Sequence, residues 1–271
     1  MPIFKNSFTR KLIIFLLTAT ASLSSMAVDI NQTIRLANQG DAEAQNELGA
    51  TYHQGQGLYK DHTKAVEWYQ KSANQGNAGA QHNLGIMYNQ GLGVRQNHTK
   101  AVEWYQKAAN QGVPDAQYNL GMMYYQGLGI GKDPAKALSW IQKSANQGYA
   151  NAQNALGLMH YQGQGVPQNY TKAVEWYTRA ANQGHSTAQN NLGVIYDKGQ
   201  GVPQNYTKAV EWYTRAANLG NAKAQNNLGV MYGKGHGVQV NYMKAKEWVK
   251  KSCENGLQIG CDNYRLANKG K

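Results

Sequence analysis

The side chains that could do chemistry in this chain recur at a fixed spacing, which argues against a single catalytic centre. A pair of carboxylates is the usual machinery of general acid–base catalysis, but it occurs once in an enzyme. Here each glutamate follows a lysine by three residues and precedes a lysine or arginine by four, which predicts ion pairs along a helix surface. The recurring glutamates are Glu67, Glu103, Glu175, Glu211 and Glu247.

The remaining reactive residue types do not form a recognisable centre either. The seven histidines are scattered, and His160 stands where other periods have Tyr124 and Tyr196, which predicts a packed core side chain. Segments such as Gly199-x-Gly201 recur with every period and follow no predicted strand, which excludes a phosphate-binding loop. No H-E-x-x-H or G-x-S-x-G motif is present. The sequence therefore predicts no catalytic residue, no metal and no cofactor.

The first 27 residues have the layout of a secretory signal peptide. An apolar run at 12–17 is followed by small residues that end at Ala27, so cleavage is expected after Ala27. This run is too short to span a membrane, and no later segment is apolar enough to do so. We expect a periplasmic or secreted mature chain. The segment opens with three basic residues, Lys5, Arg10 and Lys11.

The predicted mature chain is basic, and the charge is concentrated near its C-terminus. The signal segment holds three of the 27 basic residues and none of the 15 acidic ones, which leaves a balance of +9. From Asn221 onward nine basic residues stand against three acidic ones. Such an end could favour an acidic partner or an anionic surface, or could simply be solvated. Nucleic acid is not expected as a partner outside the cytoplasm.

Cys253 and Cys261 are the two cysteines of the chain. In an oxidising compartment an even pair this close in sequence predicts one disulfide. A reactive thiol pair is the alternative.

All these residues are positioned by a period of 36 residues that occurs six times without insertion or deletion. A period of this length is typical of solenoid proteins. Every tryptophan of the chain belongs to it: Trp68, Trp104, Trp140, Trp176, Trp212 and Trp248. A leucine followed by glycine marks the first half of each period: Leu48, Leu84, Leu120, Leu156, Leu192 and Leu228.

Each period predicts a helical hairpin. In the fifth period, Ala188, Leu192 and Ile195 share one helix face, and a glycine pair then ends the helix. Asn205 stands at the N-cap of a second helix, which stops at Gly220. A lone hairpin cannot bury its leucine, tyrosine and tryptophan. Stacking is expected to bury them between neighbours in an all-α, right-handed α/α solenoid.

The period resembles the Sel-1-like repeat in its pattern A-x-x-x-L-G-x-x-Y-x-x-G-x-G-V, followed by [DN]-x-x-K-A-x-x-W. Its length and its G-x-G turn distinguish it from the tetratricopeptide repeat. After the predicted signal peptide at 1–27, the resemblance implies an N-terminal half-repeat at 28–40 and a C-terminal cap at 257–271. Between them lie six repeats over 41–256, namely 41–76, 77–112, 113–148, 149–184, 185–220 and 221–256.

The cysteine pair resembles that of cysteine-rich members of this family, in which a disulfide staples a second helix to the next first helix. The resemblance implies the same role for Cys253 and Cys261. Closing a loop of nine residues should add about 2.5 kcal/mol of stability and hold the last helix in place.

Positions that vary between repeats are the candidates for partner binding. In a solenoid the first helices line the concave wall, and in the third and fourth repeats that wall is expected to carry an apolar and aromatic cluster. Such clusters dominate binding interfaces, although packing between helices is an alternative interpretation. The cluster consists of Tyr118, Met122, Tyr125, Leu158 and Tyr161.

Beside this cluster runs a row of asparagines that could hold the backbone of an extended peptide without reading its side chains. Solvation of a groove wall is the alternative. The row consists of Asn83, Asn119, Asn191 and Asn227.

The resemblance implies a non-catalytic periplasmic or secreted scaffold for protein–protein interaction, whose partner is another protein or an extended peptide. Members of this kind act as envelope adaptors, regulators or host-interaction (virulence) factors. An immunity protein that neutralises a secretion-system toxin in the periplasm is an alternative. A peptidoglycan- or penicillin-binding, β-lactamase-like protein is a further one. The absence of one disulfide per repeat and of an S-x-x-K nucleophile argues against the last.

Overall fold

The structure, a computed structural model, describes residues 30–269. The predicted signal peptide lies outside the described residues. Within them all regular structure is helical and no strand occurs. Helix α1 covers 30–38. It is followed by α2 (Ala42–Gln54), α3 (His62–Asn74), α4 (Ala78–Gln90), α5 (His98–Asn110), α6 (Pro114–Gln126), α7 (Pro134–Asn146), α8 (Ala150–Gln162), α9 (Tyr170–Asn182), α10 (Ser186–Lys198), α11 (Tyr206–Asn218), α12 (Ala222–Lys234), α13 (Tyr242–Glu254) and α14 (Gln258–Lys269).

The described chain falls into two compact units. Unit 1 comprises residues 30–116 and 128–130, and unit 2 comprises 117–127 and 131–269. In unit 1, α2 pairs with α3 and α4 with α5, and α3 also contacts α4. In unit 2 the same alternation of partners runs from α7 to α14. The predicted all-α solenoid of stacked helical hairpins is confirmed.

Capping residues set the helix boundaries where the sequence predicts them. The side chain of Asn169 accepts a hydrogen bond from the backbone N–H of Lys172 at 2.9 Å, which satisfies one of the free N–H groups at the start of α9. Gly163 ends α8 with a φ of 71°, a left-handed conformation that favours glycine. Each helix therefore has 12 or 13 residues from α2 onward, and the period of the fold equals the period of the sequence.

The two helices of each hairpin approach closely at the glycine that follows the repeat leucine. A Cβ atom at Gly157 would lie 2.7 Å from Cδ1 of Tyr177, so only glycine leaves room for this ring. Tyr177 is fully buried. The same contact recurs in the other hairpins, between Gly49 and Tyr69, Gly85 and Tyr105, Gly121 and Ile141, Gly193 and Tyr213, and Gly229 and Val249.

The tryptophans are less buried than the stacking of repeats leads one to expect. Trp104 and Trp176 are 9% exposed and the other four are half-buried. The basic side chain one turn later covers the outer ring face instead: the guanidinium of Arg179 lies 4.3 Å from the ring centroid of Trp176, which is a cation–π contact. The predicted ion pair forms at Glu247, whose Oε1 lies 2.7 Å from Nζ of Lys251. The other four recurring glutamates form no ion pair among the described residues, so the prediction is wrong for them.

In the fourth repeat a glutamine at the end of the second helix links the repeat to the one before it. Nε2 of Gln183 donates to the carbonyl oxygen of Gly148 at 2.9 Å and to Oε1 of Gln153 at 2.8 Å. Gln153 is itself buried. In the fifth repeat Leu219 occupies this position and is 57% exposed. The corresponding buried oxygen, Oε1 of Gln189, has no hydrogen-bond partner.

We expect Gly157→Ala to destabilise the protein by about 1 to 3 kcal/mol, because the added methyl group overlaps the Tyr177 ring in a packed core. Urea denaturation followed by circular dichroism measures the change. Gly131→Ala is the matched control, since its Cβ would meet no atom within 4 Å. The explanation of the glycine row is wrong if both variants unfold at the same urea concentration.

We expect Leu219→Gln to stabilise the protein by about 1 kcal/mol, because it supplies the missing donor for Oε1 of Gln189. Leu219→Ala removes the same exposed leucine without adding an amide and should give no such gain. The two variants are compared by urea denaturation, and equal midpoints would contradict the prediction.

Candidate partner-binding site

Four of the five predicted apolar and aromatic residues meet at one pocket on the first helices of unit 2. The pocket has a volume of about 140 Å³ and is open to solvent beside Leu158, which is 38% exposed. Burial raises the pKa of the Tyr118 phenol. The lining consists of Tyr118, Met122, Tyr125, Ile141, Asn154, Ala155, Leu158, Met159 and Gln164.

This pocket lies where a ladder of amide hydrogen bonds is interrupted. In unit 2 the neighbouring first helices are joined by asparagine pairs: Nδ2 of Asn191 donates to Oδ1 of Asn154 at 3.3 Å. The next two steps carry the same pair, Asn227 to Asn190 and Asn263 to Asn226. Between α6 and α8 the equivalent positions are Tyr118 and Ala155. An aromatic ring and a methyl group therefore replace two amides and leave an apolar cavity.

Tyr161 is not part of this pocket. Its hydroxyl donates to Oε1 of Gln200 at 2.8 Å, and its ring makes an edge contact with Tyr170 at a centroid distance of 5.3 Å. The hydroxyl of Tyr125, one repeat earlier, donates to Oε1 of Gln164 in the same way. Both tyrosines therefore link a first helix to the G-x-G turn of the following repeat.

The predicted asparagine row is largely occupied by bonds within the protein. Asn83 donates to Asn46 at 3.1 Å in unit 1, as Asn191 and Asn227 do to their partners in unit 2. Asn119 also has an interaction partner. A role in holding a peptide stays a prediction and would have to use the remaining amide groups. Each acceptor lies 37 residues before its donor, which is one position more than the repeat length of 36. The sequence shows this regular spacing.

Two amides in the lining of the apolar pocket have oxygen atoms that already accept bonds within the protein. The Oδ1 atom of Asn154 accepts from Asn191, and the Oε1 atom of Gln164 accepts from Tyr125. Each amide therefore retains the N–H₂ end, which only donates. The pocket combines an apolar floor with an edge that is suited to oxygen acceptors.

A second, polar pocket of about 290 Å³ adjoins the first through the bond between Asn154 and Asn191. It lies at the starts of α10 and α12 and at the turn before α14, and Lys223 is its charged residue. Lys223 is exposed, as are Lys198 and Lys234 at the other end of these first helices. None of the three forms an ion pair among the described residues.

The last helix is held by the cysteine pair. Cys253 of α13 and Cys261 of α14 are joined by a disulfide, with their Cα atoms 4.4 Å apart. Gly260 packs beside them, because a Cβ there would overlap Ser252. The bond thus connects a second helix to the next first helix.

His160 is buried as predicted, and Nδ1 of its ring has no hydrogen-bond partner. Burial and, to a lesser extent, the charge of Lys172 lower the pKa of this imidazole, which favours the neutral form. Within residues 30–269 no group of three or more His, Cys, Asp or Glu side chains is placed to hold a metal ion. No helix of this part of the chain has the length and apolar character needed to cross a membrane.

The repeat units and the hairpin fold define the class of the protein: the chain belongs to the Sel1 repeat family. The family model for the Sel1 repeat matches residues 42–77, 78–113, 114–149, 150–185, 186–221 and 222–257. Each matched segment begins one residue after the repeat boundary predicted from the sequence.

Several solved structures share the fold. A Sel1 repeat protein from Oxalobacter formigenes has a TM-score of 0.77 at 33% identity, covering 91% of this chain and 97% of that one. The protective antigen c5321 of uropathogenic Escherichia coli has a TM-score of 0.79 at 39% identity. That match covers 85% of this chain, which spans about half (50%) of the length of the antigen. The immunity protein Pa5087 of Pseudomonas aeruginosa has a TM-score of 0.52 at 25% identity, covering 80% and 83% of the two chains. No curated protein matches the chain.

We expect the stability of the protein to fall as the pH drops below the unfolded histidine pKa of about 6.5. The folded pKa of His160 is lower, so the unfolded chain binds a proton first and gains stability from it. His160→Tyr, which restores the residue of the other repeats, should reduce this loss between pH 7 and pH 5. Urea denaturation at each pH measures it.

At pH 8 the imidazole of His160 is neutral in both the folded and the unfolded chain. The difference in stability between wild type and His160→Tyr at this pH therefore measures the effect of packing alone. An equal loss of stability in acid for wild type and His160→Tyr would contradict this account of His160.

Proposed function

We propose that this protein is a non-catalytic scaffold of the bacterial cell envelope, periplasmic or secreted, that binds another protein through the first helices of unit 2. The observation that carries the proposal is the apolar pocket at the interrupted amide ladder. Three of the four steps between neighbouring first helices in unit 2 carry an asparagine pair, while the step at Tyr118 and Ala155 opens a cavity. A regular scaffold does not need this cavity for its own packing.

Export is supported by two independent features. The first 27 residues have the pattern of a signal peptide, and the disulfide between Cys253 and Cys261 is of a kind that persists in oxidising compartments. The similarity to the protective antigen c5321 is compatible with a location outside the cytoplasm.

A role as an immunity protein is the second candidate. It is favoured by the likeness to the immunity protein Pa5087, which extends over 80% of this chain. In that case the partner would be a toxin of a competing cell, and deletion of the gene would sensitise the producing cell to it.

Cell fractionation and mass spectrometry of the intact protein test the export half of the proposal. We expect a mature protein that begins at Val28, lies outside the inner membrane and carries the mass of an oxidised cysteine pair. A cytoplasmic protein that retains residues 1–27 would contradict it.

Site-specific photo-crosslinking in cells tests the binding half. A photoreactive phenylalanine analogue at Leu158 should capture a protein, because this side chain borders the pocket and is exposed. The same analogue at Glu175, an exposed position on α9, is the matched control. Equal capture at both positions, or at neither, would overturn the assignment of this surface.

A further inference from the structure

We propose that the partner presents an acidic segment with one aromatic side chain, and that unit 2 binds the ring in the apolar pocket and the carboxylates near Lys223. This inference rests on the proposed function and names the class of its partner.

The size and lining of the first pocket favour an aromatic ring. Its volume of about 140 Å³ is close to that of a cavity of roughly 150 Å³ that accommodates benzene. Tyr118 and the thioethers of Met122 and Met159 line it, and both groups make favourable contacts with aromatic rings. The ring of a phenylalanine would therefore fill the space without displacing the floor formed by Ile141.

The edge of the pocket requires oxygen acceptors from the partner. The N–H₂ groups of Asn154 and Gln164 are donors, and the oxygen of each amide already accepts a bond within the protein. The carbonyl oxygens of an extended peptide on either side of the aromatic residue would match these donors.

The positive charge of Lys223 determines that the acidic part of the bound segment lies at the polar pocket. The amide bond between Asn154 and Asn191 connects the apolar pocket to the polar one, which contains Lys223. Lys198 and Lys234 lie on α10 and α12 at the ends far from this pocket, and they have no ion-pair partner among the described residues. An unpaired lysine in a polar pocket attracts carboxylates, and the positive charge of the other two accelerates encounter with an acidic partner.

The spacing of the two contacts follows from helix packing. The first pocket borders α8 and the second borders α12, two helix steps away. Packed helices lie 8 to 10 Å apart, so the separation is about 20 Å, which an extended chain covers in about six residues. We therefore infer an aromatic residue and an acidic group about six positions apart.

Fluorescence anisotropy with synthetic peptides tests the inference on the full mature chain. The probes are two fluorescein-labelled peptides in which phenylalanine is separated from three glutamates by a Gly/Ser spacer of five residues, one in each chain order. We expect one order to bind. Replacing its phenylalanine by alanine, or its glutamates by glutamine, should weaken binding at least tenfold.

Two protein variants separate the contacts. The double variant Tyr118→Asn with Ala155→Asn restores the amide pair of the neighbouring steps and removes the pocket, so it should fold normally by circular dichroism and bind at least tenfold more weakly. Lys223→Glu should also weaken binding and reduce its dependence on salt. Lys60→Glu makes the same charge change at an exposed position of unit 1 and should have no effect.

The proposal is overturned if the double variant binds as tightly as the wild type, or if the alanine peptide binds as well as the phenylalanine peptide. If a protein is captured at Leu158 in cells but the peptides neither bind nor compete, the partner class is wrong and the scaffold function stands. If neither the peptides nor any cellular protein bind there, both proposals fail.

Discussion

The structure depends on the close approach of two helices at one glycine in each hairpin. At Gly157 the absence of a Cβ atom lets the Tyr177 ring lie directly on the helix backbone. This contact buries one of the largest fully buried side chains of the chain and sets the distance between the two helices. Because every hairpin of the six repeats has the same contact, with tyrosine, isoleucine or valine on the second helix, the hairpins have nearly the same shape and can pack in a regular array.

Polar side chains then determine how one hairpin meets the next. Buried glutamines such as Gln153 accept a bond from the end of the second helix of their own repeat and donate one to the last helix of the preceding repeat. Buried amides are costly when they lack partners, so these pairs favour a single register between repeats. Leu219 shows that one such link can be lost without loss of the fold, at the cost of an unpaired oxygen on Gln189.

The candidate binding surface arises from departures from the repeat rather than from the repeat itself. Tyr118 and Ala155 replace an amide pair that neighbouring steps retain, and the exchange converts a polar contact into an apolar cavity. Lys223 adds charge at a position where the preceding repeats have Asn151 and Thr187. A scaffold of this kind acquires specificity at little cost in stability, because the core contacts at the glycines and leucines are unchanged.

The sequence by itself determined the hairpin, its caps and the period, since these depend on local spacing: Asn169 caps α9 because of its place before the helix. Of the five cluster residues that it indicated, four line the apolar pocket. Only the tertiary structure showed that Tyr161 bonds to Gln200 instead, that cations cover the tryptophans, and that the asparagines bond to one another across repeats. The hydrogen bonds join residues 37 to 39 positions apart, and the cation–π contacts are one choice among several possible partners of the basic side chain. Both depend on how the helices pack, which the sequence pattern alone does not specify.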